Sequence, residues 1–182
     1  MTRTHKIELE IVSLVLAVVL GAVLWGDFNA SLEITDTEEF CISCHEMREN
    51  VYQDYLGTAH ASNRTGVRAT CADCHVPREF LPKLKRKIGA ANDVYRHFMG
   101  TIDTPEKFEA RRLLLARREW KRMEESDSRQ CRNCHDSASM DYVKQGQRGM
   151  DQHIMGFKTG KTCIDCHKGI AHSLPYDLEE NL

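Results

Sequence analysis

The chain has few aromatic residues for its size, and this limits the core that it can build from side chains. Only 7% of its 182 residues are aromatic, whereas 29% are charged. A core made of side chains alone would therefore be thin. The composition excludes a conventional large hydrophobic core and indicates that apolar material from outside the chain completes it.

No cysteine lies outside one repeated pattern. The eight cysteines form four copies of C-x-x-C-H, the attachment signature of c-type haem, in which two thiols form thioethers and the histidine lies under the iron. A zinc site or a thioredoxin-like redox pair does not explain a histidine after every second cysteine. Thioethers also use up the thiols, which excludes disulfides. We predict four covalent c-type haems, numbered in chain order and held by Cys41, Cys44, Cys71, Cys74, Cys131, Cys134, Cys163 and Cys166.

Charge is absent from one stretch near the N-terminus. Residues 11–26, IVSLVLAVVLGAVLWG, follow Arg3 and Lys6 and contain no charged side chain. At 1.5 Å per residue they reach about 24 Å, so crossing the ~30 Å hydrocarbon core requires flanking residues to join the span. The alternative is a cleaved signal peptide, but the best-placed site, Phe28-Asn29-Ala30, begins with a bulky residue. We therefore predict an uncleaved transmembrane anchor.

The anchor and the haems together predict where the chain lies. Covalent haem attachment takes place outside the cytoplasm, which in a bacterium means the periplasmic side of the inner membrane. The positive-inside rule then leaves residues 1–10 in the cytoplasm and everything after Asp27 in the periplasm. The lipid bilayer is thus a predicted partner, and nucleic acid is not.

The remaining sequence is organised as a repeat. The pattern T-C-x-D-C-H occurs at Thr70 and again at Thr162, each time about 30 residues after an earlier C-x-x-C-H. This predicts a linker, 27–40, and two di-haem modules, 41–78 and 129–182. The expected fold is mostly α with much irregular structure, a multihaem cytochrome c on a single N-terminal transmembrane helix.

A basic connector, 79–128, is predicted between the modules. From Arg78 to Arg122 there are 13 Lys and Arg against 6 Asp and Glu, a net charge of +7 in a chain whose total is −2. Thr104 followed by Pro105 predicts the start of a helix. The charge indicates a solvated face, neutralisation of haem propionates or contact with anionic lipid headgroups.

Five histidines lie outside the motifs: His5, His60, His97, His153 and His172. His5 would be cytoplasmic, so four candidates remain for the sixth positions of four irons. His172 follows His167 by only five residues and is too near to reach round its own porphyrin. It should bind a neighbouring haem and lock the two halves together.

Five segments carry a resemblance to a known family: FCISCHEMRENVY, GVRATCADCHVP, GTIDTPEKFEARR, DSRQCRNCH and KTCIDCHKGIAHSLP. They resemble the NapC/NirT family of membrane-anchored tetrahaem quinol dehydrogenases, over nearly everything from Phe40 to Pro175. The resemblance implies a periplasmic tetrahaem domain that takes electrons from membrane quinol, either menaquinol or ubiquinol. A periplasmic reductase, with nitrate reductase as the first candidate, would receive them.

The resemblance also implies site residues. In a related member, a methionine two residues after the motif histidine ligates the first haem, and Met47 matches that position, with His45 as the ordinary alternative. The quinol site of the family has a lysine and, about six residues later, a carboxylate, matched by Lys87 and Asp93. The other iron ligands implied are the motif histidines His75, His135 and His167, with His172 at the second haem, His60 at the fourth and His153 at the third. His97 has no counterpart.

Three functions fit these features to different degrees. A quinol dehydrogenase is favoured by the anchor, the connector and the resemblance. A pure electron carrier would lack a quinol site of its own. A terminal reductase would need an open substrate-binding haem, often marked by C-x-x-C-K, and that motif does not occur in the sequence. The sequence is compatible with a homo-oligomer and with a monomer.

Overall fold

The computed structural model describes residues 3–176, which consist of helices and irregular segments, without a strand in that range. The first helix, α1, is Arg3–Ile34. Its 32 residues extend about 48 Å at 1.5 Å per residue, well beyond the ~30 Å hydrocarbon core. The helix also takes up residues 27–34 of the predicted linker. The charge-free run therefore lies within a longer helix, whose flanking residues complete the span.

No side chain of α1 is buried against the rest of the chain. Its most apolar window has a mean hydropathy of 2.5, and large apolar residues such as Leu14, Leu16 and Val18 are more than 60% exposed. A continuous apolar surface of this size is unfavourable in water, whereas a helix satisfies its own backbone groups in lipid. The helix has the length and composition of a membrane span.

The rest of the described chain consists of short helices on either side of two longer ones. The first half contains α2 (Glu38–Cys41), a π-helix (Met47–Val51), α3 (Tyr52–Leu56) and α4 (Cys71–His75). The two longer helices are α5 (Phe80–Phe98) and α6 (Pro105–Glu125). The second half contains α7 (Arg129–Arg132), two 3₁₀ turns (Ser137–Ser139 and Val143–Gln145), α8 (Gly146–Lys158) and α9 (Cys163–Cys166). The predicted second module, 129–182, reaches beyond the described residues at 177.

The repeated T-C-x-D-C-H pattern has a structural cause. In the first copy, Asp73 accepts hydrogen bonds from the backbone N–H and the hydroxyl of Thr70, at 2.9 and 2.8 Å. In the second copy, Asp165 accepts the same pair from Thr162, at 2.7 and 3.0 Å. These capping boxes satisfy the free N–H groups at the helix start. They fix the first cysteine of each motif as the first residue of a helix, α4 or α9.

The predicted connector is helical, but as two helices joined by a turn. Helix α6 begins at Pro105 with Thr104 as its N-cap, whose hydroxyl accepts a hydrogen bond from the backbone N–H of Lys107. This is the start that the sequence predicts. Farther along α6, Met123 is buried and the ammonium of Lys168 lies 5.1 Å from the centre of the Trp120 ring.

The side-chain core is small, as the composition predicts. Four large apolar side chains are buried among residues 3–176: Tyr55, Phe108, Met123 and Ile164. Helix α6 packs against α9 and the π-helix, and α4 packs against α7, so both halves touch each other and α6. This arrangement brings the four C-x-x-C-H motifs together.

Candidate haem centres and quinol site

Each of the four motif histidines has a histidine from outside the motifs beside it. The ring centres are 6.0 Å apart for His45 and His97, 6.1 Å for His75 and His172, 6.2 Å for His60 and His135, and 5.9 Å for His153 and His167. An iron bonded at about 2 Å to one nitrogen of each ring would place the ring centres about 6 Å apart. The residues present therefore fit four haem irons.

Hydrogen bonds orient several of these rings. Nδ1 of His75 donates to Oε1 of Glu119 at 2.9 Å, Nδ1 of His153 to Oε1 of Gln145 at 2.6 Å, and Nδ1 of His172 to the carbonyl of Val51 at 3.0 Å. A donating Nδ1 leaves Nε2 as the nitrogen that can bind a metal. In most metal-binding histidines, the ring nitrogen that does not bind the metal donates a hydrogen bond in this way.

The structure places two histidines beside other motifs than those the resemblance implies. The resemblance assigned His60 to the fourth haem and His153 to the third, but His60 lies beside His135 of the third motif and His153 beside His167 of the fourth. Packing of α4 against α7 brings the first half up to the third motif. His153 lies in α8, just before the fourth motif, and reaches it without crossing to another half.

His172 lies beside His75 of the second motif, the haem to which the resemblance assigns it. Asp54 on α3 fixes the segment that carries it by accepting hydrogen bonds from the backbone N–H of Ser173 at 3.1 Å and from Arg112 at 2.8 Å. Burial raises the pKa of Asp54, but Arg112 and Ser173 outweigh it, and the net pKa is below the ordinary value. Burial and the nearby His75 lower the pKa of His172, which favours the neutral imidazole that metals bind.

Neighbouring motifs touch in chain order. Helix α2, which ends at Cys41, packs against α4, which begins at Cys71, and the side chains of Cys131 and Cys163 lie next to each other. Between these pairs, α4 packs against α7 and joins the second motif to the third. The four motifs therefore form one continuous series.

The predicted quinol-site residues, Lys87 and Asp93, both lie on α5 but have different partners. Lys87 Nζ is 2.5 Å from Oδ1 of Asp36 and donates to the hydroxyl of Thr35 at 2.7 Å. Asp93 is exposed, and its nearest ion-pair partner is Arg86 at 3.8 Å. The structure does not pair Lys87 with Asp93.

Asp36 is a residue that the sequence reasoning missed. It accepts a hydrogen bond from Lys83 at 2.7 Å and forms an ion pair with Lys87, so two lysines of α5 meet one carboxylate just after α1 ends. Burial raises the pKa of Asp36, but its hydrogen bonds and charge interactions with Lys83 and Lys87 prevail and lower the net pKa. The sequence signal for it was weak, because Asp36 is one of three carboxylates between the charge-free run and Thr37.

This lysine–aspartate cluster borders a cleft beside the anchor helix. The cleft is lined by Asn29, Leu32, Glu33, Arg78, Phe80 and Lys83. The ring of Phe80 lies 5.9 Å from that of Trp25 and 6.4 Å from that of Phe28. Aromatic residues at the end of a membrane span are typical of the lipid–water interface. The cleft therefore lies where a lipid-soluble molecule would meet the haem-binding part of the chain.

Four histidine pairs on C-x-x-C-H motifs, attached to a helix of membrane-spanning length, define a membrane-anchored multihaem cytochrome c. The family model described as the NapC/NirT cytochrome c family, N-terminal region, matches residues 3–177, and the chain belongs to that family.

Three relatives illustrate the match. The denitrification system component NirT of Stutzerimonas stutzeri is 58% identical over 167 residues, covering 92% of this chain and 83% of that protein. The cytochrome c-type protein NapC of Escherichia coli (strain K12) is 54% identical with the same coverage. A putative tetraheme cytochrome-c type protein of Allochromatium vinosum is 50% identical over 171 residues, covering 94% of this chain and 92% of that protein.

Proposed function

We propose that this protein oxidises quinol from the membrane and passes the electrons one at a time to a periplasmic reductase. The observation that carries the proposal is the cluster of Lys83, Lys87 and Asp36 between the end of the anchor helix and α5. The family resemblance favours a nitrate reductase as the acceptor, and the name of the S. stutzeri relative associates that protein with denitrification. The haem-binding part would lie on the periplasmic side of the inner membrane.

The eight motif cysteines would hold four haems, with His60, His75, His135, His153, His167 and His172 at the irons of the second to fourth. For the first haem, the resemblance implies Met47, with the motif histidine His45 as the ordinary alternative. When bound, each haem accepts and gives up one electron. We keep the proposed division of the chain into two modules, 41–78 and 129–182, and a connector, 79–128. Two histidine pairs, His60 with His135 and His75 with His172, join one module to the other.

The residues near the anchor divide the chemistry of quinol oxidation between them. Quinol loses two protons with its two electrons, so its site needs a hydrogen-bond donor to a quinol oxygen and a proton acceptor. Lys87 is the donor, because its ammonium points into the cluster and Asp36 holds it there. Asp36 is a poor proton acceptor, because two lysines stabilise its charged form.

Asp93 is the carboxylate to which the resemblance gives the role of proton acceptor. Its carboxylate is exposed, and its closest cation, Arg86, is 3.8 Å away. A carboxylate that is not held in a tight ion pair can take a proton and release it to water. Asp36 therefore acts as a positioning residue for Lys87, and Asp93 carries protons away from the site.

The test compares haem reduction by a quinol analogue with reduction by dithionite. Lys87→Gln and Asp93→Asn keep approximate size but remove a charged donor and a proton acceptor, so each should slow reduction by the quinol analogue about 10²-fold. Lys85→Gln, which removes an exposed lysine from the same helix, is the matched control and should stay at the wild-type rate. Dithionite should reduce all the variants fully.

The competing function is that of an electron carrier without its own quinol site. In that case Lys87→Gln and Asp93→Asn would accept electrons from the quinol analogue at the wild-type rate while reduction of the partner enzyme falls. Those residues would then belong to a docking surface, and the proposal would be wrong.

A further inference from the structure

His97 is the histidine to which neither the motifs nor the family resemblance assigns a role. Its ring centre lies 6.0 Å from that of His45, within the 5.9 to 6.2 Å range of the other three pairs. We propose that His97 binds the iron of the first haem opposite His45, so that all four haems have two histidine ligands.

A second, independent observation concerns the other nitrogen of the ring. Nδ1 of His97 lies 2.6 Å from Oε1 of Glu46, whose side chain is only 2% exposed. A carboxylate accepts hydrogen bonds, so Nδ1 is the donor and Nε2 is left as the ligating nitrogen. His75, His153 and His172 are oriented by the same kind of contact. His97 therefore shares both the spacing and the hydrogen-bonding pattern of the other proposed ligands.

The place of His97 relative to the first motif supports the same assignment. One ligand atom from each of Cys44, Glu46 and His97 lies within 4.8 Å of the other two. Cys44 is a thioether position of the first haem, so a group attached there lies next to the His97 ring.

His97, the proposed iron ligand, lies on the same helix as Lys87 and Asp93, the proposed quinol-site residues. His97 and Lys87 are ten positions apart on α5, which corresponds to about 15 Å along the helix axis. An iron with two histidine ligands has no position for quinol, so quinol must react beside the first haem and not on its iron. This consequence rests on the proposed function, whereas the ligation does not.

His97→Ala tests the ligation in the full-length, haem-loaded protein. Pyridine haemochrome should still give four haems per chain, because the cysteines are intact. Low-temperature EPR and magnetic circular dichroism should show one low-spin haem of four converted to high-spin, and added imidazole should restore the low-spin signal. His5→Ala, which removes a histidine from the start of α1, and Met47→Leu should both keep four low-spin haems.

The proposal is overturned if His97→Ala keeps four low-spin haems, since His97 would then be only a hydrogen-bond partner of Glu46. It is also overturned if the wild type contains a high-spin haem, or a methionine-ligated haem whose charge-transfer band disappears in Met47→Leu. If His97→Ala loses a haem, the ligation of His97 is decided by the number of bis-histidine haems in the wild-type spectrum. Four bis-histidine haems require four histidines outside the motifs, and with His5 excluded His97 must be one of them. None of these readouts depends on quinol oxidation.

Discussion

At the scale of single residues, groups outside the motifs fix where the candidate iron ligands lie. Asp54 illustrates this, because its carboxylate joins Arg112 of α6 to the backbone of Ser173, next to His172. The ion pair is largely shielded, with 20% of the Asp54 side chain and 12% of the Arg112 side chain exposed. A hydrogen-bonded pair of this kind contributes more than an exposed one.

Asp54 should make stability depend on pH in a defined direction. Its pKa is lower in the folded chain than the ordinary 3.8, so its contribution is complete above that value and is lost as pH falls through the lower folded value. Asp54→Asn should cost about 2 kcal/mol at pH 7 and should flatten the loss of stability below about pH 4.

Denaturant unfolding from pH 7 to pH 2 measures this effect. Asp151→Asn, on the exposed surface of α8, serves as the matched control and should leave the profile unchanged. If the free energy of unfolding falls with decreasing pH in the same way in Asp54→Asn and the wild type, Asp54 does not contribute to the pH dependence of stability.

The residue scale also shows what the sequence alone could predict. The motif cysteines and the set of candidate histidines were evident, because c-type haem attachment is encoded in five consecutive residues. The partners of His60 and His153 were not, because they depend on how α4 packs against α7 and on the position of α8. Asp36 was missed for the same reason, since its lysine partners are about 50 residues away in the sequence.

At the scale of helices, one serine joins the segment before α7, which carries the third motif, to α9, which carries the fourth. Ser128 precedes α7 in the left-handed region, with φ 47° and ψ 39°, and it is fully buried. Its hydroxyl accepts a hydrogen bond from the backbone N–H of Ile164 in α9 at 3.1 Å. A left-handed conformation is unusual for a residue other than glycine, and here it aims the side chain at the neighbouring helix.

Ser128→Ala should therefore destabilise the second half of the molecule. The change leaves the Ile164 N–H buried without its acceptor, which should cost about 1–3 kcal/mol. Thermal unfolding followed by circular dichroism measures the loss, and Ser62→Ala, at an exposed loop position, is the control. Equal midpoints for Ser128→Ala and the wild type would mean that the link carries no stability.

Helix boundaries were predictable where capping residues are adjacent in sequence. Thr104 and Pro105 start α6, and the two T-C-x-D-C-H copies start α4 and α9. The end of α1 was not predictable in this way, because the charge-free run ends at Asp27 and no capping pattern follows it. The helix itself continues to Ile34, with Asn29 and Ser31 hydrogen-bonding to carbonyls one turn earlier.

At the scale of the whole molecule, the histidine pairs connect the two halves more directly than side-chain packing does. His60 of the first half lies beside His135 of the second, and His172 of the second half lies beside His75 of the first. With only four large apolar side chains buried among the described residues, neither half has a substantial core of its own. Each half therefore supplies a histidine that lies beside a motif of the other.

The crossed pairs predict that the haem-binding part unfolds as one unit. Denaturant unfolding followed by haem absorbance and by far-ultraviolet circular dichroism should give coincident transitions in the wild type, as expected for a cooperative process. His60→Ala combined with His172→Ala removes both ligands that cross between the halves, so its transitions should separate, with the two probes no longer coincident. His153→Ala, which removes a ligand within the second half, is the matched control and should keep a single transition at a lower midpoint. Two transitions in the wild type would mean that the two di-haem modules fold independently and that the crossed ligands do not couple them.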